Sequence, residues 1–365
     1  MLQNFEMNDL SKKINENIHD SKKMFKIIDE TLHRKLNTPF PECNSDFELT
    51  NTFNNYFNEK IVNIRKKLDE NSTGFIEEHS FKGKPLREFK LLSQEEVRIL
   101  VMKSKNSYND ILDPLPTFLV KECLNELLPL ITDIINTSLK FGIVSEPLKH
   151  AMIKPLLKKL GLELIEKNYR PVSNLSFISK LIERAVLEQY VDHLKSNNLE
   201  DPKQSAYKKF HSTETLLLKM KDNIQLHIDN GEVVLLVLLD LLVAFDTIDH
   251  EILINRLEKM YGIEHNCLEW FKSYLKDRTQ AVNIYSAISK ESTLKQGVPQ
   301  RSIHGPVLFN SYIAPLSDIA KRYKIDDEKF ADDNQMAIAF KTQNIHTQIN
   351  AVVKIEKSLM RLETF

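Results

Sequence analysis

The chain has 365 residues, of which 42% are hydrophobic and 28% charged, and its formal net charge is −1. This composition is typical of a globular protein, and the length allows about two or three hydrophobic cores. No apolar run of about 18 residues or more occurs and the polar N-terminus does not resemble a signal peptide, so no membrane span or secretion is predicted. The three cysteines are far apart, which argues against a zinc site and a disulfide framework and favours an intracellular compartment.

The first 90 residues are polar and contain one clear helical pattern. A helix of about 17 residues is predicted there, because apolar side chains recur every three or four positions. These side chains are Phe53, Tyr56, Phe57, Ile61 and Ile64. From Asn71 to Phe89 the pattern dissolves into a charged linker.

Helical segments are predicted next. Ser93 with Glu96 three positions later forms a capping-box pattern and predicts a helix that ends near Ser104. Residues 113–116, Asp-Pro-Leu-Pro, predict a turn. The apolar positions that follow predict two helices ending near Gly142.

The second half of the chain alternates predicted strands and helices. A short strand is predicted at Ile153–Leu157 and a hairpin around Val282, Ile284 and Leu294. In the helix predicted from Ser212 to Ile228, the residues expected to face inward are Leu216, Leu217, Leu218 and Ile224. Further helices are predicted at Phe177–Leu194, Glu251–Met260, Leu268–Leu275 and Pro306–Leu316.

Two carboxylate sites stand at predicted strand ends. Seven apolar residues, Val233 to Leu239, run into Asp240 and predict a fully buried strand. Phe330-Ala331-Asp332-Asp333 precedes an alternating apolar pattern, which predicts a half-buried strand with both aspartates at a hairpin turn.

Bringing Asp240 and Asp332 to about 4 Å would cost about 4 kcal/mol at an effective dielectric near 20, so that arrangement requires a cation. Carboxylate oxygens prefer hard ions such as Mg²⁺, and two such ions can clamp the oxygens of a phosphoryl transfer. The alternative is that Asp240 caps a helix beginning at Leu241 and that Asp332 and Asp333 form an ordinary polar turn.

Ordered segments of the chain resemble the motifs of reverse transcriptases. The first is KNYRPVSNLSFISKLIERAVLEQ, and the three central ones are LLDLLVAFDTIDHEIL, QGVPQRSIHGPVLFN and FADDNQ. Between them, DPKQSAYKKFHSTETLL narrows the resemblance to non-LTR retrotransposons, the LINE group with its jockey-like elements. The resemblance covers roughly Ser93 to Phe340.

The resemblance implies an α+β protein with the right-hand polymerase fold, comprising fingers and a palm with an antiparallel sheet backed by helices. The thumb is expected to be missing and the copy to be truncated and partly degenerate. The predicted divisions are a polar helical N-terminal region (1–90), a helical fingers-side extension (91–150), the fingers and palm (151–345) and a truncated C-terminal helix (346–365).

The resemblance also implies the site residues. Asp240, Asp332 and Asp333 would be the catalytic carboxylates and would bind two Mg²⁺ ions, with Mn²⁺ as a possible substitute. Phe245 would be an aromatic gate under the sugar that selects deoxynucleotides. The alternative for Phe245 is simple core packing.

Three polar side chains are expected to bind the nucleotide. Arg170 resembles the arginine that pairs with the incoming triphosphate, a task suited to the guanidinium fork, and Lys154 or Lys158 would assist. Gln300 would contact the nucleotide from the pocket wall. The alternative for Arg170 is a surface arginine before a proline turn.

The sequence departs from the family pattern at several positions. Arg301 stands where the family requires glycine, and glycine there permits unusual backbone angles. His304 replaces an apolar residue, Leu242 and Val243 replace small ones, and Glu328 falls in an expected apolar strand. Together these changes indicate decay of a mobile-element copy.

The predicted function is RNA-directed DNA synthesis, the addition of deoxynucleotides to a DNA 3′-hydroxyl by two-metal phosphoryl transfer. The partners would be an RNA template, a DNA primer and deoxynucleoside triphosphates, in the nucleus or cytoplasm, with no membrane and no assigned oligomeric state. With a net charge of −1 the basic footprint must be local. Two groups provide it, one being Lys149, His150, Lys154, Lys158, Lys159, Lys167 and Arg170, and the other Lys203, Lys208, Lys209 and His211; either group could instead be an ordinary solvated face.

Two alternative functions remain open from the sequence. The first is a catalytically dead relic or co-opted RNA-binding module, which Arg301 and the expected lack of a thumb favour. The second is a purely structural α+β protein with no nucleic-acid partner.

Overall fold

A computed structural model of the chain describes residues 40–71, 80–106, 111–159, 161–241, 243–342 and 345–363. Two compact units result, one of residues 45–155 with 171–365 and one of residues 1–44 with 156–170. The predicted polar stretch before residue 40, most of the predicted linker and Leu242 lie outside the described residues. The fourfold division predicted from the sequence stays a prediction.

The larger unit contains the α-helices of the described chain. They are α1 (Asp46–Asn71), α2 (Gln94–Lys103), α3 (Thr117–Glu122), α4 (Leu124–Phe141), α5 (Phe177–Ser196), α6 (Thr213–Asp229), α7 (His250–Lys259), α8 (His265–Leu275), α9 (Gly305–Ile313), α10 (Pro315–Arg322) and α11 (Ile345–Glu363). Each helix predicted from the sequence is present, although α1 is longer than predicted and the helix predicted at residues 306–316 is divided between α9 and α10.

Helix ends follow the local sequence signals. The Ser93 side chain accepts a hydrogen bond from the Glu96 amide, and the Glu96 side chain accepts one from the Ser93 amide, so the predicted capping box is confirmed. Gly142 ends α4 in the left-handed conformation with φ of 64°. Both signals involve residues at most three positions apart, so these helix ends could be predicted from the sequence.

One sheet of the larger unit has mixed strand directions. Its strands are β1 (His150–Leu157), β2 (Tyr169–Asn174), β4 (Arg278–Ile284), β5 (Ala287–Ile288) and β6 (Ser292–Leu294), in the order β2-β1-β4-β5 with β6 beside β4. β1 and β4 are parallel, whereas β5 and β6 are antiparallel to β4. The predicted hairpin around residues 282–294 is therefore confirmed.

A second, fully antiparallel sheet carries the predicted carboxylates. Its strands β3 (Val233–Asp240), β7 (Asp326–Phe330) and β8 (Asp333–Phe340) follow the order β3-β8-β7. One face packs on α10 and α11 around Met336 and Ile338. The other face, which includes Leu236, Leu238 and Asp240, is largely open, and Leu238 is 68% exposed.

The prediction that β3 is buried on both faces was therefore wrong. A continuous apolar run does not distinguish a strand covered on both sides from one with an open face. The prediction for α6 was also partly wrong, because Leu217 and Leu218 are exposed and only Leu216 is fully buried.

The main core contains buried side chains from α2 to α5 and from α7 to α9. Trp270 and Phe271 on α8 are among its fully buried side chains. His304 lies in this core between Trp270, Phe271 and Tyr274, with ring centroids 5.4–5.8 Å away. Burial lowers the pKa of His304 to about 3, so the ring is neutral and packs as an aromatic side chain. Both ring nitrogens of His304 are buried without a hydrogen-bond partner among the described residues.

A buried ion cluster joins β7 to Asp201 and Ser317. The Lys329 ammonium is fully buried and lies 2.7 Å from an Asp201 carboxylate oxygen and 3.1 Å from one of Asp327. It also donates to the Ser317 hydroxyl, which in turn donates to Asp327. One cation thus compensates two buried carboxylates from separate segments.

The described part of the smaller unit includes a turn between β1 and β2. The Lys158 amide donates to the Asn168 carbonyl and its ammonium to the Lys167 carbonyl. The Phe40 ring stacks on Tyr169 with centroids 5.8 Å apart.

Among the described residues of the whole chain, no helix has the length and apolar character needed to cross a bilayer.

We expect Lys329→Met to lower the free energy of unfolding by about 3–5 kcal/mol, because Asp201 and Asp327 would be left buried without their cation. Urea unfolding at neutral pH measures this change. Lys272→Met is the matched control, since the Lys272–Glu269 pair is exposed and should contribute less than about 1 kcal/mol. Equal losses in the two variants would contradict a structural role for the buried cluster.

Candidate nucleic-acid polymerase site

The end of β3 brings two aspartates together. In the β3–β8 register, Asp240 is the direct partner of Asp333. Direct partners in antiparallel strands have Cα atoms about 4.5–5.5 Å apart and place their side chains on one face of the sheet. Here that face is the open one, and both residues are exposed.

Asp332 occupies the adjoining hairpin turn. Phe330 pairs with Asp333, so the loop between β7 and β8 consists of Ala331 and Asp332, as the sequence predicted. Ala331 has φ of 56°, a left-handed conformation that a two-residue hairpin requires at its first central position. Because adjacent Cα atoms are about 3.8 Å apart, the Cα atoms of Asp240 and Asp332 lie within roughly 9 Å.

The three carboxylates are neighbours without forming a closed ligand cluster. Among the described residues, no group of three or more His, Cys, Asp or Glu side chains is close enough to hold a metal ion. Asp240 and Asp333 share a face through their register, whereas Asp332 is positioned by the turn. The predicted roles of all three as metal ligands stay predictions.

The segment after Asp240 packs directly on the predicted nucleotide-pocket motif. The Gly297 amide donates to the Ile248 carbonyl and the Val298 amide donates to the Phe245 carbonyl, each at 2.8 Å. His250 Nε2 lies 2.7 Å from the Gly297 carbonyl oxygen. A Cβ on Gly297 would lie 2.6 Å from the Asp246 carbonyl oxygen, so only glycine fits here.

Phe245 and Gln300 are both fixed by neighbouring side chains. The Phe245 ring is partly buried and stacks on Phe309 with centroids 4.8 Å apart. The Gln300 amide nitrogen donates to an Asp246 carboxylate oxygen at 2.7 Å. Asp246 and Gln300 are 54 positions apart in the chain, so this contact could not be found without the structure.

Two departures from the family pattern coincide with unusual backbone angles. Arg301 has φ of 70° and an exposed side chain, so the position demands the conformation that glycine adopts freely. Val243, three residues after Asp240, has φ of 58°, which is exceptional for a β-branched residue. Both substitutions therefore introduce backbone strain beside the predicted site.

Glu328 is accommodated differently. Its carboxylate lies 2.6 Å from the Lys219 ammonium and 3.2 Å from that of Lys203. The acidic side chain on this strand is thus neutralised by two lysines. Lys203, one of the predicted basic residues, is consequently engaged within the protein, and Lys149 of the other basic group is buried.

The predicted phosphate-binding residues lie in different units. Lys154 is exposed on β1 in the larger unit, and Arg170 is exposed in the smaller unit. Lys158 donates to a backbone carbonyl. Contacts of these residues with a nucleotide stay predictions.

We expect Arg301→Gly to relieve left-handed backbone strain. Lys276→Gly is the matched control, since Lys276 is also an exposed cation but has φ of −75°. The two variants share the entropic cost of a new glycine, so Arg301→Gly should be more stable than Lys276→Gly, relative to the parent, by about 1–2 kcal/mol. Urea unfolding measures the difference, and a difference near zero would contradict the strain at residue 301.

We expect Asp246 to make stability depend on pH. Burial raises the pKa of Asp246 from 3.8 to about 7, partly opposed by the hydrogen bond from Gln300. The native state therefore holds a proton that the unfolded chain releases, so the contribution is full below about pH 4 and is lost as the pH rises through about 7. Asp246→Asn removes this titration.

Urea unfolding at pH 5 and pH 8 measures the effect as a difference between parent and variant. The stability of Asp246→Asn relative to the parent should increase from pH 5 to pH 8. Asp133→Asn, an exposed control on α4, should show no such change. If the two variants respond alike, Asp246 does not titrate as described.

The family comparison agrees with the motif order. Residues 157–363, more than half of the chain, match the model of the reverse transcriptase (RNA-dependent DNA polymerase) family. This range contains β3, β7, β8 and the segments packed against them.

Curated relatives come from Drosophila melanogaster mobile elements. The chain is 29% identical over 205 residues to the probable RNA-directed DNA polymerase from transposon BS, covering 55% of this chain and 22% of that protein. It is 32% identical over 196 residues to the probable RNA-directed DNA polymerase from transposon X-element, covering 53% and 20%. It is 26% identical over 260 residues to the RNA-directed DNA polymerase from mobile element jockey, covering 69% and 28%.

The chain thus aligns with between a fifth and about a quarter of the length of these relatives. The relatives are named as RNA-directed DNA polymerases of mobile elements, in agreement with the resemblance of the motifs. The chain belongs to the reverse transcriptase (RNA-dependent DNA polymerase) family, in the jockey-like LINE group.

Proposed function

We propose that this chain carries the fingers and palm of an RNA-directed DNA polymerase that adds deoxynucleotides to a DNA 3′-hydroxyl with RNA as template. The observation that carries the proposal is the pairing of Asp240 with Asp333 at the open end of an antiparallel sheet, next to the turn that holds Asp332. The partners are then an RNA template, a DNA primer and deoxynucleoside triphosphates.

The donor set fits divalent cations. Two acidic side chains share one exposed face, and no Lys or Arg of the described residues forms an ion pair with Asp240, Asp332 or Asp333. Such uncompensated like charges are unfavourable without a cation, and carboxylate oxygens are the ligands that Mg²⁺ prefers. We propose that Asp240 and Asp333, joined by Asp332 from the turn, hold Mg²⁺, which would supply charge neutralisation for the triphosphate.

The protein's own residues then act by positioning. In the reaction the primer 3′-oxygen bonds to the α-phosphorus and pyrophosphate leaves, so the chain must align reactants and needs no covalent intermediate. Phe245, fixed by Phe309, would limit the space under the sugar, and Gln300, oriented by Asp246, would contact the nucleotide. Arg170 and Lys154 would bind phosphate oxygens.

A second candidate is a nucleic-acid-binding relic without catalysis. The left-handed backbone at Arg301 and Val243 favours it, as both strained positions flank the site. The two candidates differ in activity and share the binding of nucleic acid.

Primer extension on an RNA template with Mg²⁺ tests the proposal. We expect the chain to extend the primer and Arg301→Gly to extend it faster, since the strained residue lies beside the proposed pocket. Asp240→Asn and Asp332→Asn should each reduce extension at least about a hundredfold in either background, because a lost ligand costs more than a lost outer contact.

Asp133→Asn serves as the matched control and should leave extension unchanged. Binding to the same primer–template, measured by fluorescence anisotropy, separates the two candidates. Binding without extension in both the parent and Arg301→Gly would establish the relic, and salt-independent failure to bind would contradict both candidates.

A further inference from the structure

The catalytic hairpin is contacted by a segment that lies more than 120 residues earlier in the chain. The Lys203 carbonyl accepts from the Lys329 amide at 2.9 Å, and the Ser205 amide donates to the Lys329 carbonyl at 2.9 Å. Gln204, between them, forms a parallel bridge with Lys329. Residues 203–205 thus pair with the outer edge of β7, just before the turn.

The Gln204 side chain reaches the turn itself. Its amide oxygen accepts from the Ala331 amide at 2.9 Å, and its amide nitrogen donates to the Ala331 carbonyl at 3.2 Å. The same oxygen accepts from the Ala206 amide at 2.9 Å, which fixes the orientation of the side chain. Gln204 is only 2% exposed, so these bonds are protected from water.

Ala331, which Gln204 holds in this way, has a strained backbone conformation. Ala331 has φ of 56°, and a non-glycine residue keeps such a conformation only when the surrounding structure enforces it. The Gln204 side chain forms hydrogen bonds with both the amide and the carbonyl of Ala331. Rotation of either peptide plane of Ala331 would therefore break at least one of these hydrogen bonds. Asp332 follows Ala331 directly, and Asp333 follows Asp332.

Independent contacts support the same attachment. Lys329 is fixed by Asp201, which comes from the same preceding segment. The segment from Asp201 to Gln204 therefore contacts β7 at Lys329 and the turn at Ala331.

We propose that Gln204 is a positioning residue for catalysis, because its amide holds Ala331 in the left-handed conformation that places Asp332 and Asp333 beside Asp240. The inference rests on the proposed function for its catalytic consequence. Its structural consequence, a turn fixed by one side chain, can be measured whether or not the chain polymerises.

The test compares Gln204→Met with Gln189→Met in the full chain. Gln189 makes a similar two-point contact, accepting from the Lys90 amide at 2.7 Å and donating to the Lys90 carbonyl at 3.1 Å, but on a different loop. Methionine keeps the side-chain length and removes both hydrogen bonds. If Gln204→Met does not fold, Gln204→Asn keeps the amide but shortens the side chain by one methylene, and it carries the same expectation.

Two readouts report on the turn. Hydrogen exchange of a peptide covering residues 329–334 should be at least about tenfold faster in Gln204→Met than in the parent, and unchanged in Gln189→Met. Mn²⁺ binding, followed by electron paramagnetic resonance, should weaken about tenfold to about a hundredfold in Gln204→Met only. Wild-type exchange and wild-type Mn²⁺ affinity in Gln204→Met would overturn the proposal.

Primer extension then separates this inference from the proposed function. Where the parent extends, Gln204→Met should lower kcat and raise the Mn²⁺ requirement while leaving KM for the nucleotide nearly unchanged. A parent that does not extend contradicts the proposed function, and the exchange and Mn²⁺ measurements still decide whether Gln204 fixes the turn.

Discussion

The pairing of like charges at the end of β3 is the constraint on which the arrangement of the three-stranded sheet depends. The register that aligns Val233 with Phe340 also aligns Asp240 with Asp333, and a slip of one residue would move every side chain of β3 to the other face. The apolar side chains that pack on α10 and α11 fix this register. Burial on one face of the sheet thus determines which residues share the other face.

The ion pairs that stabilise the hairpin do not involve Asp240, Asp332 or Asp333. Lys329 neutralises Asp201 and Asp327 behind the hairpin, while Lys203 and Lys219 neutralise Glu328 on the open side. Gly297 brings the pocket motif against the segment after Asp240 at a distance that excludes any larger residue. The carboxylates proposed to bind metal are left without cationic partners among the described residues.

Local signals in the sequence predicted much of the fold. The Ser93 capping box, the end of α4 at Gly142 and the turn at Asp332 each depend on a few adjacent residues, and all are confirmed. Predictions that depend on distant partners were less accurate. The exposure of Leu238 and Leu217 follows from which elements pack on those faces, and the sequence alone does not specify this.

The site shows the same division between local and distant information. Motif order placed Asp240, Asp332 and Asp333 in the chain, but their relation in space follows from the β3–β8 register. The resemblance marked Arg301 and Val243 as departures, and their positive φ angles give the physical reason why small residues suit these positions. The contacts of Gln204 and Asp246 join residues too far apart in the chain for any local pattern to reveal them.

The open position of β3 has a consequence for solution behaviour. Among the described residues β3 is an edge strand, and its seven apolar residues carry no charge along an unpaired backbone edge. Such edges can pair with strands of other molecules, and charged residues on or beside the edge disfavour this pairing. Here the charged residues are Glu232 and Asp240, at the two ends of the strand. Asp240 therefore places a negative charge at one end of this edge, and neutralising it removes that charge together with a proposed metal ligand.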